Sequence, residues 1–267
     1  MNIFSGIFLL SWWGYLVIAL LFTHLTIVSV TIYLHRHITH RALELHPAPA
    51  HFFRFWLWLT TGMVTREWEA THKKHHQKCE TDDDPHSPVA QMRSLGIATW
   101  FGRAFFMLRF VFWRGVRSYV DWTNDHPDEV LKLGINAPKD RLEDLLYARH
   151  TKLGLALMAG IDALLFGLFG GLFIWTVQML WIPVFAAGVV NGVGHMWGYR
   201  NFSLRDFSRN IVPWGILIGG EELHNNHHED ATSAKFSRKW WEVDIGWFYI
   251  RIMELFGLAE VKNIHDR

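Results

Sequence analysis

Two long apolar stretches dominate the pattern of hydrophobic and polar positions along this chain. Residues 1–34 contain no Asp, Glu, Lys or Arg, and residues 153–199 contain only Asp162. A helix of about 20 apolar residues crosses the hydrocarbon core of a bilayer, so the pattern predicts three membrane spans, at about 14–34, 153–175 and 179–199. We expect a turn near residues 175–178 to join the last two spans. Residues 1–13 are expected to form an interfacial stub, or half of a tight hairpin that would raise the number of spans to four.

Three further segments are rich in apolar and aromatic residues but carry charges that argue against a buried span. They are residues 51–65, 98–120 and 240–258. Aromatic rings mixed with basic side chains are typical of helices that lie in the membrane interface, where the rings anchor and the long basic side chains reach water. We therefore predict that these segments are interfacial helices.

The distribution of charge predicts which side of the membrane holds the polar part of the chain. Three spans put residues 35–152 and 200–267 on the same side, and these two segments contain all 26 Lys and Arg residues. The positive-inside rule assigns that side to the cytoplasm. The predicted fold is an all-α integral membrane protein, a single domain over residues 1–267, in which both charged segments form one cytoplasmic helical cap. In a bacterium the membrane would be the inner one.

The remaining global properties exclude a few classes of protein. Basic and acidic residues are interleaved and the net charge is only +1, so we expect no nucleic-acid binding. The one cysteine, Cys79, cannot form an intrachain disulfide and fits a reducing compartment. The first apolar stretch has no basic region before it and no small-residue cleavage site, so we expect a retained span and not a removed signal peptide.

Clustered histidines are the strongest chemical signal in the chain. Neutral imidazole is the commonest side-chain metal ligand, and the spacing His-x-x-His-His, which occurs at residues 72–76 and again at 224–228, puts three imidazoles on one face of a helix or at its fraying end. Burying many imidazoles without partners would cost free energy. We therefore predict eight metal ligands: His35, His40, His72, His75, His76, His224, His227 and His228. The other scattered histidines are expected to be ordinary surface or core residues: His24, His37, His46, His51, His86, His126, His150 and His265.

The clusters and their flanking residues resemble a known family. The three segments are residues 35–41, residues 72–76 followed by Asp84-Pro85-His86, and residues 222–228. In order, spacing and flanking residues they are similar to the three histidine boxes of the membrane-bound fatty acid desaturases, and most similar to the acyl-CoA (delta-9 type) branch. The resemblance extends over about residues 12–258.

The resemblance implies a centre of two iron ions that uses molecular oxygen as co-substrate. Removing two hydrogens from an unactivated pair of methylenes needs an oxidant that no side chain supplies, and zinc has no accessible redox couple. Asn191 and His195 match an additional Asn-x-x-x-His element of the same branch, and their spacing predicts one helical face. The resemblance therefore implies that His195 is a ninth ligand and that Asn191 holds a metal-bound water. Without the resemblance, helix capping or a bond to a neighbouring helix would explain Asn191 and His195 equally well.

Several carboxylates lie beside the histidine clusters in the sequence and are candidates to orient the metal-binding histidines. A histidine bound to metal usually donates its other N–H to a carboxylate or carbonyl. We expect one or two of the following residues to accept such a bond: Glu221, Glu222, Asp82, Asp83 and Asp84. Ordinary helix-end and loop charges are the alternative for each.

A desaturase also needs a tunnel for its acyl chain and a site for the polar carrier group. We expect the tunnel beneath the metal centre, between the span ends and the interfacial helices, with Trp68 and Trp197 in its wall, although aromatic residues at interfaces are mostly anchors. Arg66, Lys73 and Lys74 flank the second box and are candidates to hold carrier phosphates, or equally anionic lipid headgroups.

The electrons must come from another protein. The chain has no cysteine cluster for an iron–sulfur centre and no dinucleotide-binding glycine motif. A separate donor is implied: a ferredoxin, a cytochrome or a reductase chain.

Three functions follow from these observations. The leading one is an oxygen-dependent di-iron desaturase that forms a cis double bond in a saturated fatty acyl chain, as the CoA thioester. The second is a phospholipid-linked acyl desaturase or a hydroxylase with the same boxes. The third is a metal transporter, which the sequence disfavours because transport places ligands inside the spans near the middle of the membrane.

Overall fold

The computed structural model describes residues 5–265, and helices form most of this part of the chain. The helices are α1 (Trp12–Ser29), α2 (Pro47–Thr60), α3 (Thr65–Lys78), α4 (Pro88–Ser94), α5 (Trp100–Arg109), α6 (Gly115–Asp125), α7 (Pro127–Leu133), α8 (Thr151–Ile182), α9 (His224–Glu229) and α10 (Ile245–Leu255). Four short strands are present: β1 (Leu43–Leu45), β2 (Trp214–Gly215), β3 (Val243–Asp244) and β4 (Ala259–Val261). β1 pairs with β4 in antiparallel fashion, and β2 pairs with β3 in parallel. The prediction of an all-α fold is confirmed.

Four π-helical segments accompany the α-helices. Val30–Thr39 continues α1, Phe110–Arg114 joins α5 to α6, Glu143–Tyr147 precedes α8, and Pro183–Val193 continues α8. With these continuations, two helices within residues 5–265 are long and apolar enough to cross a membrane, Trp12–Thr39 and Thr151–Val193. π-Helical turns are rare and frequently lie at functional sites.

The second long helix is a hairpin that reverses at Gly167. This residue has φ 75° and ψ 168°, a backbone conformation that glycine adopts without a steric penalty. The amide of Gln178 donates to Asp162 at 2.8 Å and the indole N–H of Trp175 donates to the Leu155 carbonyl at 3.0 Å. Residues 16 apart would be separated by about 24 Å along one straight helix, so these bonds require two antiparallel arms.

The predicted turn near residues 175–178 is therefore wrong. Those residues lie within the second arm, which continues to Val193, and the arms cover residues 151–166 and 168–193. The apolar pattern does not mark a reversal inside a uniformly apolar stretch, where only the backbone freedom of Gly167 permits it.

The segment before α1 packs into the bend of this hairpin. The amides of Ile7 and Phe8 donate to the carbonyls of Leu164 and Leu165 at 3.1 and 2.7 Å. A side chain at Gly6 would collide with the backbone of Gly167. Residues 5–11 are not helical, so they do not add a fourth helical span, and their place in the membrane interface stays a prediction. Residues 1–4 of that predicted segment lie outside the described residues.

The three segments predicted as interfacial helices contain helices. They correspond to α2, to α5 and α6 with their π segment, and to α10, which begins only at Ile245 because Asp244 caps it by accepting from the Trp247 amide. α5 presents large exposed rings to its surroundings: Trp100 is 75% exposed and Phe101 79% exposed. Their place in the membrane interface stays a prediction.

The two charged segments of the chain contact each other around a buried arginine. Arg36 donates to Asp244 at 2.9 Å and to the Ala234 carbonyl at 3.0 Å, and its guanidinium lies 3.8 Å from the centre of the Phe236 ring. Pairing of β1 with β4 adds a second link between these segments. These contacts link the two segments that carry most of the clustered histidines.

Candidate metal centre

Nine histidines converge into two groups. In the first group, donor atoms of His35, His40, His72, His76 and His227 all lie within 4.8 Å of one another. A chain of Nε2–Nε2 contacts runs through it, from His40 to His72 at 3.1 Å, to His76 at 3.0 Å, to His227 at 2.9 Å and to His35 at 3.1 Å. The second group contains His75, Cys79, His195 and His228 under the same distance limit. His224 adjoins it, with its Nε2 2.9 Å from that of His195.

The two His-x-x-His-His segments divide their histidines between the groups in opposite ways. On α3, His72 and His76 face the first group and His75 faces the second. On α9, His224 and His228 lie beside the second group, with ring centres 4.4 Å apart, and the middle histidine His227 joins the first. Residues i and i+4 share a helical face and i+3 is rotated from them, so each short helix contributes to both groups.

The π segment of α1 brings His35 and His40 together. In an α-helix, residues five apart are separated by roughly 140° around the axis, whereas a π-helix closes its hydrogen bonds between i and i+5. The amide of His40 donates to the His35 carbonyl at 3.0 Å, and the two ring centres are 4.8 Å apart. Both imidazoles therefore reach the same group.

Asn191 and His195 do not share a helical face, so that prediction is wrong. The π segment after α8 ends at Val193, and His195 follows in a turn in which its amide donates to the Gly192 carbonyl at 3.2 Å. Asn191 lies inside the segment, where its side-chain amide donates to the Ala186 carbonyl at 3.2 Å. His195 nevertheless reaches the second group because the chain bends toward it after the helix ends.

Four carboxylates accept hydrogen bonds from the Nδ1 atoms of the converging histidines. Glu221 accepts from His35 at 2.8 Å and Asp84 from His75 at 2.9 Å. Glu80 accepts from His195 at 3.0 Å, and Asp206 from His228 at 3.2 Å. A carboxylate on Nδ1 fixes the tautomer that leaves Nε2 as a lone-pair donor, which is the usual arrangement behind metal-binding histidines.

The sequence identified only half of these carboxylates. Glu221 and Asp84 were among the expected acceptors, but Glu222 instead accepts from the backbone amides of Ile218 and Gly220, and Asp83 lies 3.6 Å from Lys78. Glu80 and Asp206 were missed because only folding brings them to the site. Glu80 has φ 63°, an uncommon conformation for a residue with a side chain. Such strained residues cluster at functional sites.

Cys79 was also missed as a neighbour of the second group. Its sulfur lies 4.0 Å from His75 Nε2 and 3.9 Å from His195 Nδ1. The signal was present in the sequence, because Cys79 stands four residues after His75 and thus one helical turn further on the same face. Burial raises the pKa of the Cys79 thiol, so without a bound cation the thiol stays protonated at neutral pH.

Burial lowers the pKa of most of the converging imidazoles. Positive charge on neighbouring histidines would lower these pKa values further. Burial is the largest cause of the lowered pKa in seven of the imidazoles: His40, His72, His76, His195, His224, His227 and His228. For His75, burial would also lower the pKa, but the negative charge of Asp84 outweighs it and raises the pKa. The seven are therefore neutral near pH 7, in the form that binds metal ions.

Buried nitrogen atoms without partners indicate that a cation fits these groups. In the described residues, Nε2 of His228 is buried and has no hydrogen-bond partner, while its Nδ1 is bonded to Asp206. An unsatisfied buried polar atom costs about 1–3 kcal/mol, and a metal ion in the second group would remove that cost. Imidazole nitrogens with carboxylates behind them suit iron among several transition metals.

We expect Asp84→Asn to weaken the binding of one metal ion by about 10–100-fold, because His75 loses the negative charge behind it. The measurement is metal retained per protein during titration with a chelator. Asp83→Asn is the matched control, since the neighbouring side chain is 64% exposed and contacts Lys78 instead. Equal retention in the two variants would contradict this role of Asp84.

A cavity of about 290 Å³ reaches the first group from the side of the apolar helices. His35, His72 and Trp68 line it, with the Trp68 ring stacked on His72 at 4.9 Å between ring centres. Most of its apolar lining comes from the α2–α3 loop, from α6 and from the π segment after α8: Thr61, Gly62, Met63, Val116, Val120, Ile182, Pro183, Ala186, Ala187 and Val190. Polar side chains also line it: Glu67, His86, Tyr119, Thr123, Asn124, Asn191 and Glu221. An apolar group in this cavity would contact the histidines of the first group.

The predicted substrate residues occupy different positions. Trp68 lines the cavity, whereas Trp197 is 72% exposed and is not among the described residues that line it. Lys73 pairs with Glu69, and Lys74 pairs with Glu129 at 2.6 Å, so both charges are already compensated. In the described part of the chain, Arg66 has no carboxylate within 4.0 Å, and of the three cations only Arg66 remains available for an anionic group.

Known desaturases are similar to this chain over most of its length. The family model described as fatty acid desaturase matches residues 10–244. The chain is 28% identical to Delta-9 acyl-lipid desaturase 2 of Arabidopsis thaliana over 250 residues, which cover 92% of this chain and 74% of that protein. It is 28% identical to the Acyl-CoA C20 Delta5-desaturase of Anemone leveillei over 269 residues, covering 96% and 77%. It is 30% identical to the Delta-9 desaturase-like 3 protein of Arabidopsis thaliana over 237 residues, covering 88% and 72%.

The matched region includes all three histidine boxes, both long apolar helices and the residues that line the cavity. From this match and from the convergence of the boxes, we conclude that the chain belongs to the fatty acid desaturase family and is an oxidoreductase.

Proposed function

We propose that the protein is an oxygen-dependent di-iron desaturase that forms a cis double bond in a saturated fatty acyl chain carried as a CoA thioester. One observation carries the proposal: His35 and His72 of the first histidine group line a mostly apolar cavity. A long acyl chain fits such a cavity because it gains free energy from burial of its methylenes. The histidines would meet a methylene pair and not the polar head.

The residues of the chain would hold the metal ions, orient the ligating imidazoles and exclude water. When bound, two iron ions supply the capacity to reduce oxygen, which is needed to remove two hydrogens from unactivated carbon. The nine histidines would hold the ions, and Asp84, Glu80, Glu221 and Asp206 keep four of those imidazoles in the ligating tautomer. Apolar walls would keep the acyl chain in one conformation and exclude bulk water.

Electron balance requires a partner. Forming one double bond with one O₂ takes two electrons from the substrate and two more from a donor, together with two protons, and releases two molecules of water. The chain contains one cysteine, too few for an iron–sulfur cluster. We propose a separate donor of the ferredoxin, cytochrome or reductase type.

The assignment of the acyl carrier depends on the named relatives and on the cations near the cavity. The relatives include proteins named acyl-lipid desaturase and acyl-CoA desaturase. With Lys73 and Lys74 paired to carboxylates, Arg66 is the candidate to contact a phosphate of the carrier. Phospholipid-linked desaturation, or hydroxylation at the same centre, is the alternative.

The experiment that tests the function is expression in a host that cannot make unsaturated fatty acids. Mass spectrometry of the lipids should show new monounsaturated chains with one double-bond position. The purified protein, supplied with a reductant, should then act on stearoyl-CoA and not on the same chain in phosphatidylcholine. A hydroxylated product would contradict desaturation, and activity on the phospholipid alone would contradict the CoA carrier.

We propose three membrane crossings, by the first long helix and by both arms of the hairpin, with residues 35–152 and 194–267 in the cytoplasm. The expected result is a cytoplasmic signal from reporter fusions after Arg93 and at Arg267, because every Lys and Arg lies in these segments. A reporter inserted at Gly167 should give the opposite signal. An external signal after Arg93 would contradict the topology.

Asn191 and His195 should respond differently to alanine. We expect His195→Ala to lose about one iron per protein, because the side chain would be a direct ligand. Asn191→Ala should lose turnover more than iron, because Asn191 would act through a metal-bound water, and outer contacts typically cost about 10–100-fold. Iron content and turnover of both variants are the measurements. Two irons and normal turnover in both would contradict these roles.

A further inference from the structure

We propose that Cys79 is a thiolate ligand of the metal ion in the second group, where it joins His75, His195 and His228. This inference deepens the proposed function, since it rests on that function's second ion. Cys79 is the one cysteine in the chain.

Cys79 lies close to His75, one of the donors of the second group. Cys79 directly follows α3 and stands one turn after His75, which turns both side chains toward the same side. The sulfur is 4.0 Å from His75 Nε2. Metal–sulfur and metal–nitrogen bonds of about 2.3 and 2.1 Å allow donor atoms of one ion to be separated by at most about 4.4 Å, so a single ion can bind both atoms.

An independent observation at the same place points to a ligand. The His228 side chain is only 2% exposed, its Nδ1 is bonded to Asp206, and its Nε2 has no partner among the described residues. A ring nitrogen of His228 lies within 4.8 Å of the Cys79 sulfur, in the same group of donors. An ion that satisfies His228 would therefore lie within reach of the thiol.

The number of donors also becomes similar in the two groups. Five histidines form the first group. The second has His75, His195, His228 and the adjoining His224, and Cys79 would make its count five as well. A sulfur donor would make the second ion electronically different from the first, because thiolate is softer than imidazole and prefers softer ions.

The chemical step is an exchange of a proton for a metal ion. The S–H bond of Cys79 breaks, the metal–sulfur bond forms and the proton leaves to solvent, with no change in oxidation state. Coordination to a metal ion is sufficient to deprotonate a thiol.

The test uses the purified full-length protein loaded with Co²⁺, whose spectrum reports its ligands. Because Cys79 is the only cysteine, a thiolate-to-cobalt charge-transfer band can arise only from this residue. We expect the band in the wild type and its loss in Cys79→Ser and Cys79→Ala, while the ligand-field bands from imidazole coordination remain. Metal content by mass spectrometry shows whether both ions are bound.

Thiol labelling gives a second readout that does not depend on activity. We expect the reaction of Cys79 with a maleimide to slow by at least about tenfold when Co²⁺ is bound, since a coordinated sulfur is not a free nucleophile. Labelling of the denatured protein gives the total thiol. His228→Ala should restore, in the presence of cobalt, the labelling rate of the metal-free protein.

The outcomes separate this inference from the proposed function. Two bound ions with no charge-transfer band and with unchanged labelling would overturn the role of Cys79 and leave the di-metal centre intact. Failure to bind two ions at all would overturn both.

Discussion

His227→Ala and His228→Ala should each abolish desaturation by removing a different metal ion. The two residues are neighbours on α9, yet His227 belongs to the first group and His228 to the second. Each variant is expected to retain about one iron per protein and to lose turnover by more than the 10–100-fold typical of outer contacts. The reason is that a vacant first-shell position leaves a buried cation with an incomplete set of donors.

Iron content, turnover and membrane insertion of the two variants are the measurements. His126→Ala and His265→Ala are the controls. The His126 side chain bonds to the Trp122 carbonyl and His265 pairs with Glu229 and Asp230, and neither residue belongs to a group of donors in the described part of the chain. The same loss is expected for His72, His75, His76 and His224. Near-wild-type turnover in two of these six variants would contradict the assignment of ligands.

Ala186→Phe should block the acyl chain while the metal centre stays intact. Ala186 lines the cavity on the π segment after α8, and only its backbone carbonyl is used by Asn191. A phenyl ring there would displace the chain from the histidines, and a misplacement of about 1 Å can cost on the order of 100-fold in rate. We expect such a loss with two irons retained, and a smaller loss for shorter acyl chains.

The matched control is Ala104→Phe, an equal change at an exposed position on α5. Turnover of acyl-CoA substrates of graded length, together with iron content, separates a blocked cavity from a damaged centre. Unchanged turnover of long chains in Ala186→Phe would show that the substrate does not use this cavity.

Local spacing made most of the centre predictable. The rule that i, i+3 and i+4 approach one another on a helix is a property of the backbone, so the histidines of α3 and α9 were identified from the sequence alone. The same rule did not show that each helix serves two groups, because that depends on where the helices meet. The roles of Glu80 and Asp206 could not be predicted for a similar reason, because they depend on a contact between distant parts of the chain. The loop that brings Asp206 to His228 contacts Glu80 through the Phe207 amide.

Irregular backbone accounts for the errors. The reversal at Gly167 and the π segments around His35 and Asn191 change the direction of the chain without changing its composition. Hydropathy reports only that a segment is apolar. Consequently the apolar stretches were located correctly, whereas the turn between the hairpin arms and the shared face of Asn191 and His195 were not.

The most direct test of the central claim is anomalous X-ray diffraction from crystals of the iron-loaded protein, measured on both sides of the iron absorption edge. Two iron peaks are expected, one among the Nε2 atoms of His35, His40, His72, His76 and His227, and one among the donors of His75, His195, His224 and His228. A single peak, or iron located outside these two groups, would contradict the claim.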